Sequence, residues 1–259
     1  MPIHYDLHAC WLVAVAAALA ACSGSNGTMS PTNTIGPYDC SGTALPATAA
    51  TVVSVSGTVT EITFGGPAGV PGATLKAFRT GDTSALATTT TAADGSYTIS
   101  VTTGGVPLDG YLRVDKANYD TTYLYPSAPL VASFAGAKIV LLNPFELTAL
   151  ANAAGITLSS TNGLVVLTVV DCTGKVLAGA TVSSNPAAGA TRYNSGGEPQ
   201  SSASATDVDG LAYLLNLPAG NVAVQGSSGS HTLRSHTLNA RAGAITQTIL
   251  APGPTTPPE

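Results

Sequence analysis

The chain has 259 residues, enough for one large domain or two modest ones with their own cores. Only 9% of them are charged, against about a quarter in an average globular protein, and Ala, Gly, Ser, Thr and Val fill the space. A net charge of −5, with nine scattered Lys and Arg, offers no basic stripe to neutralise phosphates and argues against a nucleic-acid partner.

The first element is an 11-residue apolar run, Trp11 to Ala21, ending at Cys22. Crossing a bilayer takes about 20 apolar residues, so the run suits the h-region of a signal peptide rather than a spanning helix. Small residues Ala20 and Ala21 stand directly before the cysteine, as a narrow cleavage site requires. The run Leu19-Ala20-Ala21-Cys22 resembles the lipobox of bacterial lipoproteins. That resemblance implies removal of residues 1–21, acylation of the Cys22 thiol (palmitate among the chains) and anchorage to a membrane. The residues ahead of it hold no Lys or Arg and include Asp6. Either His4 and His8 suffice there, or the start codon lies elsewhere. The rival reading is a hydrophobic N-terminal helix of a soluble domain with an incidental cysteine. Ser23 is not the aspartate that resembles an inner-membrane retention signal, which favours an exported outer-membrane lipoprotein, on the periplasmic face or the cell surface.

Residues 22–51 are rich in Ser, Thr, Gly, Pro and Ala and read as a flexible tether, since they bury too little apolar area to offset their ordering entropy. Cys10 leaves with the signal peptide and Cys22 carries the lipid, so Cys40 and Cys172 remain as a candidate disulfide in an oxidising compartment. Spacing alone does not decide whether they pair.

The remainder repeats one pattern. Val53-Ser54-Val55-Ser56-Gly57-Thr58-Val59 alternates as a half-buried strand does. It is followed by Val70-Pro71-Gly72-Ala73-Thr74-Leu75, a Thr-rich strand, and Asp94-Gly95 opening an alternating run to Val101. The second copy runs Leu164 to Asp171, then Leu177-Ala178-Gly179-Ala180-Thr181-Val182, Thr206, and Asp209-Gly210-Leu211-Ala212-Tyr213-Leu214. Asn185–Ser202 is an insertion. Asp-Gly between alternating runs predicts hairpins, and Leu217-Pro218-Ala219-Gly220 predicts a turn into another strand. Short strands with turns every 8–12 residues predict an all-β chain of sandwiches. The Pro-Gly-Ala or Ala-Gly-Ala turn, the Thr three residues before Asp-Gly, and Leu-Pro-Ala-Gly resemble the carboxypeptidase regulatory-like domain. The resemblance implies two tandem Ig-like or transthyretin-like β-sandwiches, at 52–142 and 162–250, of a carbohydrate-binding-like fold that is not itself catalytic. The related adhesin-type sandwich carries a Lys–Asn isopeptide bond, which is not expected here because neither first strand carries the lysine.

Between the copies, residues 143–161 form a connector with one short helix. Asn143 caps it, Pro144 opens it, and Glu146 closes a capping box. Leu147, Leu150, Ala151 and Ala154 follow at helical spacing and Gly155 ends it. So short a helix must dock on a sandwich, and it is expected to fix the angle between the two. Residues 251–259 read as a disordered tail.

A search for chemistry finds little. His231 and His236 fall on opposite faces of a strand, cannot share a metal, and read as solvent-facing. Gly226-Ser227-Ser228-Gly229 misses a nucleophile elbow by one position. Asp94, Asp109, Asp171, Asp207 and Asp209 sit in or beside turns, where aspartates bond their own backbone. Asp207-Val208-Asp209-Gly210 lacks the later ligands of a calcium loop. Tyr111, Tyr119, Tyr123 and Tyr125 cluster, and in a continuous strand Tyr119, Tyr123 and Tyr125 would share a face able to stack on sugars or a protein partner, or else pack along a sandwich edge. The reading is a non-catalytic, lipid-anchored envelope protein for binding, adhesion or structure, without catalytic residues, metal or cofactor. Its partners would be the membrane and a glycan or envelope protein. The alternatives are a carbohydrate-binding accessory protein using the tyrosines and, last, a hydrolase with an unrecognised carboxylate pair.

Overall fold

A computed structural model describes residues 36–63 and 65–253. Cys22 and the lipobox-like run lie outside the described residues, as do 254–259. Residues 52–140 form eight strands: β1 (Val52–Thr63), β2 (Gly66–Gly69), β3 (Thr74–Arg79), β4 (Ala87–Thr90), β5 (Ser96–Thr102), β6 (Gly110–Asp115), β7 (Thr122–Tyr125) and β8 (Phe134–Val140). After α1 (Pro144–Ala153) come β9 (Asn162–Val169), β10 (Ala180–Asn185), β11 (Ala190–Ser195), β12 (Glu198–Gln200), β13 (Leu211–Pro218), β14 (Gly220–Ser228), β15 (His231–Thr232), β16 (His236–Ala240) and β17 (Ile245–Leu250). The described residues are all-β apart from this helix and build β-sandwiches. Alternation explains the strands: in β5, Tyr97, Ile99 and Val101 are buried while Thr98, Ser100 and Thr102 face water.

The two halves share a topology. β1 pairs antiparallel with β5 and parallel with β8, and β9 pairs antiparallel with β13 and parallel with β17. On the facing sheets, β6 pairs antiparallel with β3 and β7, as β14 does with β10 and β16. The repeated sequence signals do the same work in both. Thr91 Oγ1 donates to Val70 O at 2.6 Å and accepts from Ala73 N at 2.8 Å. Thr206 Oγ1 donates to Leu177 O at 2.7 Å and accepts from Ala180 N at 3.0 Å. Both hydroxyls are buried and close the turn ahead of β3 or β10. Gly95 and Gly210 have φ of +81° and +66°, and a Cβ on either would strike the carbonyl oxygen of Val59 or Val169. The Asp94-Gly95 turn joins β4 to β5, which lie in different sheets, so it is a crossing between layers rather than the expected hairpin between paired strands.

One feature was not legible in the pattern. Strand β17 pairs in parallel with β7, Ile245 opposite Thr122 through Thr248 opposite Tyr125. This fuses one sheet of each sandwich into a nine-stranded sheet, β12-β11-β13-β9-β17-β7-β6-β3-β4. The first sandwich closes on one face of it, over Leu75, Leu112, Val114 and Ile139. The second closes on the opposite face, over Val165, Leu167, Leu214 and Val224, with Tyr123 and Tyr125 completing its open side.

Asn143 accepts from the amides of Phe145 and Glu146, and the Glu146 carboxylate accepts from Asn143 N at 2.8 Å. The helix lays Leu150 and Ala154 on Leu164, Tyr213, Leu215 and Ile245, the outer face of the second sandwich. Arg192 Nε donates to Ala154 O at 2.8 Å at its far end. The helix therefore docks as expected, but strand pairing between β7 and β17 sets the angle between the sandwiches, because a shared ladder leaves the two sheets no independent orientation. A bulge in β13 serves the connector: Asn216 takes φ +54°, accepts from Ser159 N and donates to Thr157 O. The register shift between Leu214 and Leu217 keeps both leucines in the core.

The tether expected over 22–51 does not extend through 36–51. Ala49 N donates to Gly105 O and Ala50 N to Val131 O, and Cys172 N donates to Pro37 O. Likewise Ala251, Pro252 and Gly253 of the expected tail are buried. Backbone bonds to both sandwiches, and burial, hold segments whose composition reads as loose chain.

Candidate functional site

Two places gather the side chains that drew attention. The first is the joint between the sandwiches. Phe78 on β3 stacks on Tyr111 of β6 with ring centroids 5.2 Å apart, and Tyr111 stacks on Tyr125 at 4.9 Å. Arg241, in the turn between β16 and β17, lies 3.8 Å from the Tyr123 ring centre and 4.6 Å from that of Tyr111. A guanidinium over ring faces is held by their negative quadrupole. Burial raises the Tyr125 hydroxyl above its ordinary pKa, with Arg241 pulling the other way.

The expected row of Tyr119, Tyr123 and Tyr125 is not formed. Tyr119 lies in the turn after β6, outside any strand, and its hydroxyl donates to Glu61 Oε2 at 2.5 Å, which pushes it up to about 12. Tyr123 and Tyr125 are 8% and 3% exposed because the second sandwich packs on them. The corresponding positions of the second copy, by strand register, are Asn221, Thr237 and Asn239, of which Asn221 and Thr237 are exposed. Aromatic rings stand where the second sandwich covers the first, and amides and a hydroxyl stand at the matching uncovered positions of the second.

The second place is the end of the molecule where both described termini meet. Cys40 and Cys172 are bridged, with Cα atoms 5.5 Å apart across 132 residues of sequence. Tyr38 stacks on His231, centroids 3.8 Å apart and planes 5° from parallel, and its hydroxyl shares a 2.9 Å hydrogen bond with Ser228 Oγ. Gly253 packs so closely on Cys40 that a Cβ there would strike the Cys40 carbonyl. Residues 36–43 thus form a strap across the second sandwich.

His231 is exposed, as expected, but His236 is not solvent-facing. Its Nε2 lies 2.8 Å from Thr248 Oγ1 and its Nδ1 is buried. Burial, helped by the Arg234 charge, lowers its pKa to about 4, so the ring is neutral. The aspartates serve their own turns. Asp94 accepts from Ser96 N, and the Ser96 hydroxyl, with that amide second, holds its pKa below the usual value. Asp171 Oδ1 accepts from Thr173 N, Thr173 Oγ1 and Lys175 N. Asp209 accepts from Leu211 N and Asn194 Nδ2. Among the described residues no three His, Cys, Asp or Glu gather as metal ligands. A shallow groove of about 590 Å³ lies on the first sandwich, lined by Ser56, Thr58, Thr90, Ser96 and Thr98, hydroxyls without a charged group. No described helix is long and apolar enough to cross a membrane.

Neither a family model nor a curated protein matches this sequence. Among solved structures, the chain is similar to a point mutant of the shaft pilin SpaA of Lactobacillus rhamnosus GG, with 12% identity over 79% of this chain and 100% of that one, TM-score 0.26. It is similar also to GBS52, the minor pilin of Streptococcus agalactiae, with 15% identity, 79% and 98% coverage and TM-score 0.25. The Bacillus anthracis TIE protein matches at 14% identity over 76% of this chain and 33% of its own, TM-score 0.22. Superposition at that level bears on neither ancestry nor function.

Strand pairing between distant copies, the Arg241 contact and the Tyr38 strap were missed by sequence reasoning. The crowding of tyrosines was the available signal for the first of these. Its meaning depended on a partner surface more than a hundred residues away.

Proposed function

We propose that this chain is a lipid-anchored, non-catalytic envelope module that acts in adhesion, binding or structure. The observation that carries this reading is the meeting of the two described ends, Cys40 against Gly253, at one end of the fold. A chain held through Cys22 would then present both sandwiches away from its anchor. The lipobox-like run supplies the anchor in this reading, and two or three acyl chains, at about 0.8 kcal/mol per buried CH₂, suffice without a spanning helix. Asp94, Asp171 and Asp209, on which a hydrolase reading would draw, accept hydrogen bonds within their own turns. Of the three tyrosines that a sugar-stacking reading needs, Tyr123 and Tyr125 are covered at the joint, and Tyr119 is held by Glu61, which supports the structural reading.

The test is metabolic labelling with an alkyne fatty acid in a bacterial host, followed by membrane fractionation. The wild-type chain should label and sediment with the outer membrane, and Cys22→Ala should do neither. Unlabelled wild-type chain with the leader still attached, seen by mass spectrometry, would refute the anchor.

A further inference from the structure

We infer that the Cys40–Cys172 bridge is a mechanical bypass, which carries tension arriving from the N-terminal segment into the central sheet and leaves the first sandwich unloaded. The inference goes beyond the anchored-module reading and does not require the lipid. It rests on where the bridge sits in the chain. Everything from residue 41 to residue 171, which includes β1 to β8, α1 and β9, lies inside the covalent loop. Only the strap ahead of Cys40 and the strands after Cys172 lie outside it.

The two routes for load differ sharply. Without the bridge, tension entering at Gly36 would run along the chain to Ala49 and Ala50, which make single backbone bonds to Gly105 and Val131. Next in line is β1, the strand that pairs with β2, β5 and β8. Peeling β1 removes one sheet of the first sandwich altogether. With the bridge, the load leaves the chain at Cys40 and enters at Cys172, just past β9. That strand is interior to the nine-stranded sheet, laddered to β13 on one side and to β17 on the other. Val170 N adds a bond to Leu250 O, and Cys172 N one to Pro37 O, at the point of entry. Non-covalent contacts alone are a weak substitute: the strap's side chains add one ring stack, Tyr38 on His231, and one hydrogen bond, Tyr38 to Ser228.

The bypass makes a strict geometric statement. Pulling on the two ends can extend only the chain outside the loop while the bridge is intact. Handles would be attached ahead of Gly36 and after Gly253 on the full chain, and the molecule stretched in an optical trap. At about 3.5 Å per extended residue, the oxidised wild type should release roughly 30 nm, from the residues beyond Cys172. The Cys40→Ser/Cys172→Ser variant should release roughly 45 nm more, as the first sandwich and β9 come under load. If that variant does not fold, the wild type alone decides the matter. Held at constant force after its first extension, it is exposed to dithiothreitol. A thiolate of the reagent attacks the bridge, the reagent leaves as a cyclic disulfide having given two electrons and two protons, and Cys40 and Cys172 become thiols. A delayed step of roughly 45 nm should follow. Full-length extension of the untreated wild type, or no additional step after reduction, would overturn the inference. Neither result touches the lipid anchor, which is read separately by fatty-acid labelling.

Discussion

Thr206→Val would remove one hydroxyl and almost no volume. Thr206 is 4% exposed, and its Oγ1 both donates to Leu177 O and accepts from Ala180 N. Valine keeps the branched shape and leaves both backbone groups without their partner in a buried turn. An unsatisfied buried group costs about 1–3 kcal/mol, and the carbonyl regains part of that from water at the edge of the turn, so the loss is expected at about 2–4 kcal/mol. Thr206→Ser keeps the hydroxyl and should cost less than about 1 kcal/mol, mostly for the lost methyl group. Urea unfolding of the three proteins, with the slope held in common, reads the difference as a shift in midpoint. Amide exchange at Ala180 supplies the local check, since its proton loses its acceptor only in the valine variant. Because the two copies close the turn in the same way, Thr91→Val should produce a loss of similar size. A valine variant within about 0.5 kcal/mol of wild type, the usual range for an inconsequential surface change, would refute the hydroxyl as the clamp of this turn.

Two further outcomes follow from the joint and from the half-buried imidazole of His236. Arg241→Ala should lower stability by about 1–2 kcal/mol, because the guanidinium leaves the Tyr123 and Tyr111 faces, and Arg241→Lys should recover part of it. Near-ultraviolet circular dichroism suits the measurement: the sole tryptophan is Trp11, so in a protein of residues 22–259 the tyrosines dominate the signal. An unchanged tyrosine band in the alanine variant would argue against the stack. For His236, the folded pKa near 4 lies below the ordinary 6.5, so the unfolded chain takes up a proton first as pH falls. Its contribution is whole above pH 6.5 and is lost between there and about pH 4, up to roughly 3 kcal/mol. The carboxylates titrate in the same window, so the comparison is between wild type and His236→Gln. The difference in their midpoints should change from pH 7.5 to pH 4.5, and parallel curves would dismiss the effect.

Much of the fold was readable because its signals are local. Alternation of side chains names strands such as β5, the Asn143–Glu146 box names the helix start, and Thr91 and Thr206 recur because each closes a turn within its own copy. Even Gly95 and Gly210 carry their meaning in a positive φ that any reader of turns expects. Composition misled where long-range contact overrides it: residues 36–51 look like loose chain, yet are held by the bridge at Cys40 and by partners at Gly105, Val131 and Ser228.

The sequence by itself determined that this chain makes two similar sandwiches, since burial period and turn chemistry act over a few residues. Only the tertiary structure decided that β17 would pair with β7, that Tyr123 and Tyr125 would finish the other copy's core, and that Cys40 would reach Cys172. Those choices depend on which exposed edge and which open core lie near each other once both copies have closed, and no short-range pattern encodes that proximity.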